Sequence, residues 1–355
     1  MVYSIGIDVA KDSLHAHLLH MNSRQQCRPV GERTFDNRPG GFEQLQAWIR
    51  RHTDLPHPIR LVMEASGAYH ERAAMALQTA GWYVSVMLPS KARFYSKSLG
   101  QASKTDGLDA KGLARMAAQR RLPRWEGIKR FWRELRAMTR HKQQLAEMAT
   151  EVGNRTHASG WSVGSPKMVG RHRRQLAEQL EQQQAEIRQQ IVRHLQSRPE
   201  IWEKVEGLEA IKGLSVQAIA VLLAETDGFE PFTSEGQLIS YSGYDIVEQQ
   251  SGQHVGPTRI SKQGNARIRR ILHFPAINVV SYQVPKFKHL WDRVYRRTKV
   301  KMKAYVAVQR KLLAICYHLW KKGEAFDPHY EVNLGGESHK KVAPTNDGAT
   351  VDTRS

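Results

Sequence analysis

Cysteine and long hydrophobic runs are scarce in this 355-residue chain. Two cysteines, Cys27 and Cys316, cannot build a disulfide framework or a cysteine-rich zinc site. The longest purely apolar run, Ala218–Ala224, is far shorter than the roughly 20 residues that span a bilayer, so we expect no membrane insertion. Met1–Ile7 has no basic residue and is followed at once by Asp8, so we expect no signal peptide. These features predict a cytosolic protein.

Acidic residues are also few, and the basic excess is uneven. The chain has 54 Lys and Arg against 34 Asp and Glu, a formal net charge of +20. Residues 1–70 are nearly balanced, whereas residues 91–142 hold 15 basic and 4 acidic side chains and residues 259–303 hold 13 and 1. A single basic run is usually a solvated face. Two such runs, both interleaved with aromatic residues, favour a nucleic-acid partner.

The hydrophobic pattern of the first 125 residues predicts an α/β domain. Apolar or alternating runs predict five strands, and Asn37 is expected to cap a helix with the apolar stripe Phe42, Leu45, Trp48 and Ile49. Further helices are predicted over residues 69–80 and from about residue 105. The order of three strands, helix, strand, helix, strand, helix is that of the RNase H-like fold, in which strand one lies between the first hairpin and strand four. The predicted strands are Tyr3–Ala10, Leu14–Leu19, Cys27–Phe35, Ile59–Met63 and Tyr83–Leu88.

The rest of the chain is predicted to be mostly helical. Residues 126–200 carry apolar stripes at helical spacing, which predict a hairpin or coiled-coil linker, either at a dimer interface or packed on its own protein. Residues 201–330 form a second globular domain, and residues 331–355 are expected to be a disordered polar tail. Ile211–Ser215 resembles the turn of a helix-hairpin-helix, which presents backbone N–H groups to phosphate, although Ser215 replaces its second glycine.

Four carboxylates are candidates for a metal site. Asp8 lies at the end of strand one and Glu64 directly follows strand four, and these strands are parallel neighbours in the predicted fold. Asp106 and Asp109 are three residues apart at a helix start and therefore share a face. Carboxylate oxygens suit Mg²⁺ and substrate phosphate together. The simpler interpretation of Asp106 and Asp109 is that they favour the helix dipole.

A glycine-rich loop followed by a basic helix is the second candidate site. Ser251 precedes Gly252, and a serine there could approach a phosphodiester closely while nearby N–H groups and cations stabilise developing charge. Taken alone, a Ser-Gly pair usually marks a turn, and Ser242-Gly243 is a competing pair. The predicted nucleic-acid contacts are Lys104, Arg259, Lys262, Arg267, Arg269 and Arg270.

Five segments occur in the order seen in one protein family. They are Gly6-Ile7-Asp8-Val9-Ala10-Lys11, Met63-Glu64-Ala65-Ser66-Gly67, Lys104-Thr105-Asp106-Gly107-Leu108-Asp109-Ala110, Ser251-Gly252 and Ser261-Lys262-Gln263-Gly264-Asn265. Over residues 3–330 the chain resembles the DEDD-type transposases of bacterial insertion sequences, also called bridge-RNA-guided serine–DEDD DNA recombinases. The chain departs from the family at the helical hairpin, where Lys212-Gly213 replaces Pro-Gly.

The resemblance implies a mechanism and partners. It implies a RuvC-like domain in which Asp8, Glu64, Asp106 and Asp109 bind Mg²⁺, and a transposase domain in which Ser251 forms a covalent phosphoserine link to DNA. Ser242-Gly243 corresponds to the pair of an apolar residue and glycine that precedes the nucleophile loop in the family. Ser251 is therefore the preferred candidate for the nucleophile. The implied partners are donor and target DNA, a noncoding bridge RNA and further copies of the chain, as dimers that assemble to tetramers. The implied location is the cytoplasm of a bacterium, in association with the nucleoid.

Three other functions are compatible with parts of the sequence. A RuvC-like junction nuclease would use the same carboxylates with water as nucleophile and would not need Ser251. An actin-like sugar kinase or ATPase also opens with an Ile-Gly-Ile-Asp strand, but the second glycine-rich phosphate loop is missing and the fold has no use for a charge of +20. A catalytically silent nucleic-acid-binding protein would leave four carboxylates facing a polyanion without a metal.

Overall fold

The computed structural model describes residues 1–53, 58–65, 67–98, 106–127, 129–247, 250–251, 254–255 and 258–327. For residues 90, 97, 106–108, 250–251 and 254–255 it describes the backbone only. The chain divides between residues 127 and 128 into two compact units. The expected tail at residues 331–355 and the predicted contact Lys104 lie outside the described residues.

The first unit is built on a five-stranded sheet in the order β3-β2-β1-β4-β5. Strand β1 pairs antiparallel with β2 and parallel with β4, so it lies between the first hairpin and strand four. The RNase H-like order predicted from the hydrophobic pattern is therefore confirmed. The strands are β1 (Val2–Val9), β2 (Ser13–Met21), β3 (Cys27–Asp36), β4 (Ile59–Glu64) and β5 (Tyr83–Met87).

Four helices accompany the sheet, and the apolar stripe predicted for the first of them is buried against it. The prediction that Asn37 caps this helix is wrong. Its N-cap is Arg38, without a side-chain hydrogen bond, because Pro39 occupies the first turn, while the Asn37 amide donates to the carbonyl oxygens of Ala10 (2.9 Å) and Tyr69 (3.1 Å). The helix that begins at Pro89 was not predicted. The helices are α1 (Pro39–His52), α2 (Tyr69–Thr79), α3 (Pro89–Ser98) and α4 (Asp106–Gln119).

Helix α4 lies directly against the backbone of β1. Ile5 and Ile7 point into the core shared with α1, so Gly6, between them, faces the other side. A Cβ atom on Gly6 would lie 1.9 Å from the Ala110 carbonyl oxygen and 2.4 Å from the Ala114 nitrogen. Only glycine permits this approach, because both neighbouring atoms belong to the helix backbone.

Replacing Gly6 with alanine is therefore expected to destabilise the first unit by at least about 3 kcal/mol, since neither α4 nor β1 can yield by a side-chain rotation. The matched control is Gly40→Ala in α1, where a Cβ atom would meet nothing within 4 Å. That control should change stability by no more than about 1 kcal/mol. Urea and thermal unfolding measure both, and equal midpoints for the two variants would contradict the packing of α4 on β1.

The second unit begins with two long helices, α5 (Arg130–Ser159) and α6 (Lys167–Gln196). They pack together through a small cluster formed by Leu145, Val152 and Leu180. The predicted helical hairpin is therefore confirmed. Phe131, Trp132 and Leu135 of α5, with Ile191 and Leu195 of α6, belong instead to the main core of the unit. The finer division of this unit at residue 200 stays a prediction.

The remaining elements surround that core. All residues of the run Ala218–Ala224 except Val221 are buried in it, together with residues of the long C-terminal helix. No helix in the described ranges has the length and apolarity to cross a membrane. The helices are α7 (Pro199–Glu209), α8 (Val216–Thr226), α9 (Glu235–Tyr241), α10 (Ala266–Ile271), α11 (His273–Ser281), α12 (Pro285–Thr298) and α13 (Lys301–Lys322), and the short strands are β6 (Ile246–Val247), β7 (Gln250–Ser251), β8 (His254–Val255) and β9 (Arg259–Ile260).

Candidate active site

Asp8 and Glu64 lie at the adjacent ends of two parallel strands. Ile7 of β1 pairs with Met63 of β4, so the next residues in register are Asp8 and Glu64, both half-buried. Ile7 and Met63 point into the core on the α1 side of the sheet. Because side chains alternate along a strand, Asp8 and Glu64 both lie on the opposite face, which α4 covers.

Asp109 joins this face from the helix. It is half-buried and directly precedes Ala110, whose carbonyl oxygen lies against Gly6, two residues before Asp8. Val62, two residues before Glu64, packs with Leu113 on the same side. The sheet and α4 thus place three of the four predicted carboxylates around one end of the β1–β4 pair.

The fourth carboxylate, Asp106, is the first residue of α4, one turn before Asp109, and its side chain lies outside the described part. Among the side chains that the structure does describe, no three Asp, Glu, His or Cys residues are grouped closely enough to hold a metal ion. The three carboxylates suit Mg²⁺ in donor chemistry and in the face they share.

Ser251 lies in a narrow β-hairpin of the second unit. Its backbone pairs with His254, and further down the hairpin Val247 pairs with Arg259. The pairing continues to the base of the hairpin, where Ser261 N donates to the Asp245 carbonyl oxygen at 2.8 Å. Ser251 is therefore the last described residue of the first side of the hairpin.

The competing serine, Ser242, is fully buried. Its Oγ has no hydrogen-bond partner in the described part of the chain, and its carbonyl oxygen accepts from Arg269 Nη1 at 2.8 Å. A hydroxyl enclosed in this way cannot meet a phosphodiester unless the base of the hairpin opens. Burial thus disfavours Ser242 as a nucleophile.

The predicted basic contacts divide into two groups. Arg259 and Lys262 are exposed on the hairpin and could meet phosphate. The arginines of α10 have protein partners: besides the Arg269 bond, Arg270 pairs with Glu147, and Arg267 lies 3.9 Å from Glu225. These partners show that part of the basic charge near residue 270 also holds the second unit together.

The helix-hairpin-helix-like segment forms a turn between α7 and α8. Gly213 has φ +106°, and a Cβ atom there would lie 2.8 Å from the Cβ of Asn278 in α11. Ser215 caps α8 by accepting from Ala218 N, and the Lys212 ammonium lies 5.2 Å from the centre of the Tyr282 ring. Phosphate contact at this turn stays a prediction.

The sequence patterns did not predict a buried charge network around Glu225. The side chain of Glu225 is only 2% exposed and receives both Nε (2.8 Å) and Nη2 (3.0 Å) of Arg140. Burial alone would raise the pKa of Glu225, but hydrogen bonds from Arg140 and Asn265 and nearby positive charge hold it below its usual value. The signal in the sequence was a glutamate that closes the apolar run Ala218–Ala224.

A second carboxyl of this network behaves differently. Asp227 at the end of α8 pairs with Arg136 at 2.5 Å. Burial nevertheless raises its pKa to about 6, because desolvation outweighs the charge of Arg136 and Glu225 adds repulsion. The two pairs, Arg136–Asp227 and Arg140–Glu225, fasten α8 to α5.

Comparison with known proteins decides the family. Residues 5–159 match a family described as "Transposase", and residues 205–292 match one described as "Transposase IS116/IS110/IS902 family". The pilin gene-inverting protein of Moraxella lacunata is 30% identical over 328 residues, which are 91% of this chain and 97% of that protein. The chain belongs to the IS116/IS110/IS902 transposase family.

Other similar proteins complete the comparison. The pilin gene-inverting protein of Moraxella bovis is 29% identical over the same shares of both chains. The structure of Thermus thermophilus RuvC aligns with 35% of this chain and 100% of its own, at 12% identity and a TM-score of 0.27. The resemblance to DEDD-type transposases is confirmed, and the IS116/IS110/IS902 transposase described here is a DNA-recombining enzyme.

Proposed function

We propose that this transposase cleaves and exchanges strands of donor and target DNA through a covalent phosphoserine intermediate at Ser251. The observation that carries the proposal is that Asp8 and Glu64 end two adjacent parallel strands on the face that α4, with Asp109 in its first turn, covers. Three carboxylates facing a polyanionic substrate repel it unless a cation lies between them. A catalytic role explains why these charges occur together in so basic a protein.

The reaction conserves the number of phosphate ester bonds. The Ser251 Oγ forms a bond to the phosphorus of the scissile phosphodiester, and the bond from that phosphorus to one DNA oxygen breaks. The proton of the serine hydroxyl is transferred overall to the departing oxygen, which leaves as a DNA hydroxyl. Attack by the hydroxyl of another strand reverses these changes, releases Ser251 and joins the two DNAs.

Asp8, Glu64, Asp106 and Asp109 would hold Mg²⁺. When bound, the ion neutralises phosphate charge and stabilises the attacking and leaving oxygens. The half-buried position of Asp8 and Glu64 on paired strands keeps the two carboxylates preorganised, and α4 fixes Asp109 because Gly6 lets the helix approach β1. Exposed Arg259 and Lys262 on the hairpin bind DNA phosphates near Ser251.

In this proposal a bridge RNA selects the DNA sites. The two basic segments support an RNA partner. Residues 91–142 and 259–303 offer more positive charge than one duplex contact requires. The protein is further proposed to act as a dimer that assembles to a tetramer, in the cytoplasm of a bacterium and in association with its nucleoid.

Recombination between a donor and a target plasmid tests this function. The purified protein is expected to carry RNA transcribed beside its gene, and nuclease removal of that RNA should abolish recombination, because site choice resides in base pairing. Adding back the transcript should restore it, whereas a transcript with scrambled loops serves as the matched control and should not. Full recombination by RNA-free protein would contradict the proposal.

A further inference from the structure

We propose that Asn265 and Glu225 are positioning residues that hold the base of the Ser251 hairpin in a fixed orientation. The inference rests on the proposed role of Ser251 as nucleophile and adds residues that act on it from a distance. In the sequence, the hairpin lies between the end of α9 and the start of α10. Whatever fixes that base also fixes the direction in which the hairpin presents Ser251.

Asn265 connects the base of the hairpin to the buried charge network. Its Nδ2 donates to Glu225 Oε2 at 2.8 Å and to the Tyr241 hydroxyl at 3.3 Å. The Tyr241 hydroxyl in turn donates to the Glu225 carbonyl oxygen at 3.1 Å. Glu225 also forms a salt bridge with Arg140 of α5. One buried carboxylate therefore links the base of the hairpin to α5.

Backbone hydrogen bonds also connect the two ends of the segment that contains the hairpin. Asn265 N donates to the Tyr241 carbonyl oxygen at 2.7 Å, and Lys262 N donates to that of Gly243 at 3.1 Å. The Asn265 side-chain oxygen meanwhile caps α10 by accepting from the N–H groups of Arg267 and Ile268. One asparagine therefore joins the end of α9, the start of α10 and the buried network at the base of the hairpin.

This arrangement resists tilting of the hairpin. Displacing Asn265 would remove a hydrogen bond from a carboxylate that is 2% exposed and cannot replace it with water. Ser251 follows Asp245 by six residues, which span at most about 20 Å of extended chain. A displacement of Ser251 by about 1 Å can cost about 100-fold in rate.

The test is Asn265→Ser, which keeps a side-chain oxygen able to cap α10 but is too short to reach Glu225. We expect the rate of covalent adduct formation at saturating DNA to fall about 100-fold, with the Kd for DNA within about twofold of wild type. The control is Tyr317→Phe, which removes one buried hydrogen bond, to the Phe232 carbonyl oxygen, and leaves the hydrogen bonds among Glu225, Tyr241 and Asn265 in place. It should match Asn265→Ser in Tm but retain the wild-type rate.

A second variant tests the same hydrogen-bond network if Asn265→Ser does not fold. Tyr241→Phe keeps the ring that packs against Phe232 but loses the hydroxyl between Glu225 and Asn265, and we expect about a tenfold slower adduct formation. Wild-type rates in both variants, or an equal loss in Tyr317→Phe, would overturn the positioning role. Wild-type protein that cleaves DNA without any adduct would instead refute the nucleophile itself.

Discussion

Asp8→Asn is expected to slow DNA strand cleavage in Mg²⁺ by about 10²-fold to 10⁴-fold while nucleic-acid binding stays within about twofold of wild type. The substitution keeps the size of the side chain but removes the negative charge at the end of β1. Stabilisation of the phosphoryl transition state by bound metal is worth several kcal/mol, so its loss should slow cleavage by about 10²-fold to 10⁴-fold. Binding persists because the basic segments supply the affinity.

Asp12→Asn is the matched control for this prediction. Asp12 is four residues further along, exposed in the turn after β1, and its replacement changes net charge by the same amount. Cleavage by this control should be normal. Glu64→Gln and Asp109→Asn should behave like Asp8→Asn, because these carboxylates share its face. Near-normal cleavage by Asp8→Asn in Mg²⁺ would refute the metal-site proposal.

The second large effect is expected for Ser251→Ala. If Ser251 is the nucleophile, removing its hydroxyl eliminates the only atom that can form the protein–DNA ester, and both the adduct and recombination should fall below detection. Nucleic-acid binding should be unchanged, since one neutral hydroxyl adds little to a contact dominated by phosphate charge. Gel shifts before and after protease treatment measure the adduct, and filter binding measures affinity.

Ser242→Ala supplies the comparison within the same motif type. Its hydroxyl is fully buried and makes no hydrogen bond to the described residues, so its removal should alter stability by less than about 1 kcal/mol and leave the adduct intact. An adduct that survived in Ser251→Ala but vanished in Ser242→Ala would transfer the role to the earlier serine. Efficient cleavage without an adduct in either background would favour the nuclease that uses water.

The sheet and the juxtaposition of Asp8 with Glu64 could be predicted because they follow from local patterns. Alternating apolar residues identified the strands, and the order of strands and helices fixed their neighbours. The close approach of α4 to β1 was not predictable. In the sequence, Gly6 is equally compatible with a flexible position and with a position where a helix contacts the strand backbone. Only the position of Ala110 distinguishes the two.

The misassignments had similar physical causes. Asn37 is a good capping residue by type, but its amide binds Ala10 and Tyr69, which are remote in sequence. Pro89 follows the predicted strand Tyr83–Leu88 and begins α3, since proline also suits the first turn of a helix. Such choices between two locally acceptable roles are decided by tertiary contacts.

The Glu225 network shows the same limit more strongly. Its partners Arg140 and Asn265 are 85 and 40 residues away in sequence. A glutamate after an apolar run suggests only a helix end facing solvent. The structure reverses that interpretation by burying the carboxylate under cations from α5 and the amide that begins α10.

The most direct test of the proposed chemistry is identification of the residue bonded to DNA. Wild-type protein is reacted with a cleavable substrate in Mg²⁺, the complex is denatured and digested with protease and nuclease, and the modified peptide is sequenced by mass spectrometry. We predict a nucleotide in phosphodiester linkage to Ser251, absent from Asp8→Asn. A substrate cut to completion with no modified peptide, or with the nucleotide on Ser242, would contradict the account.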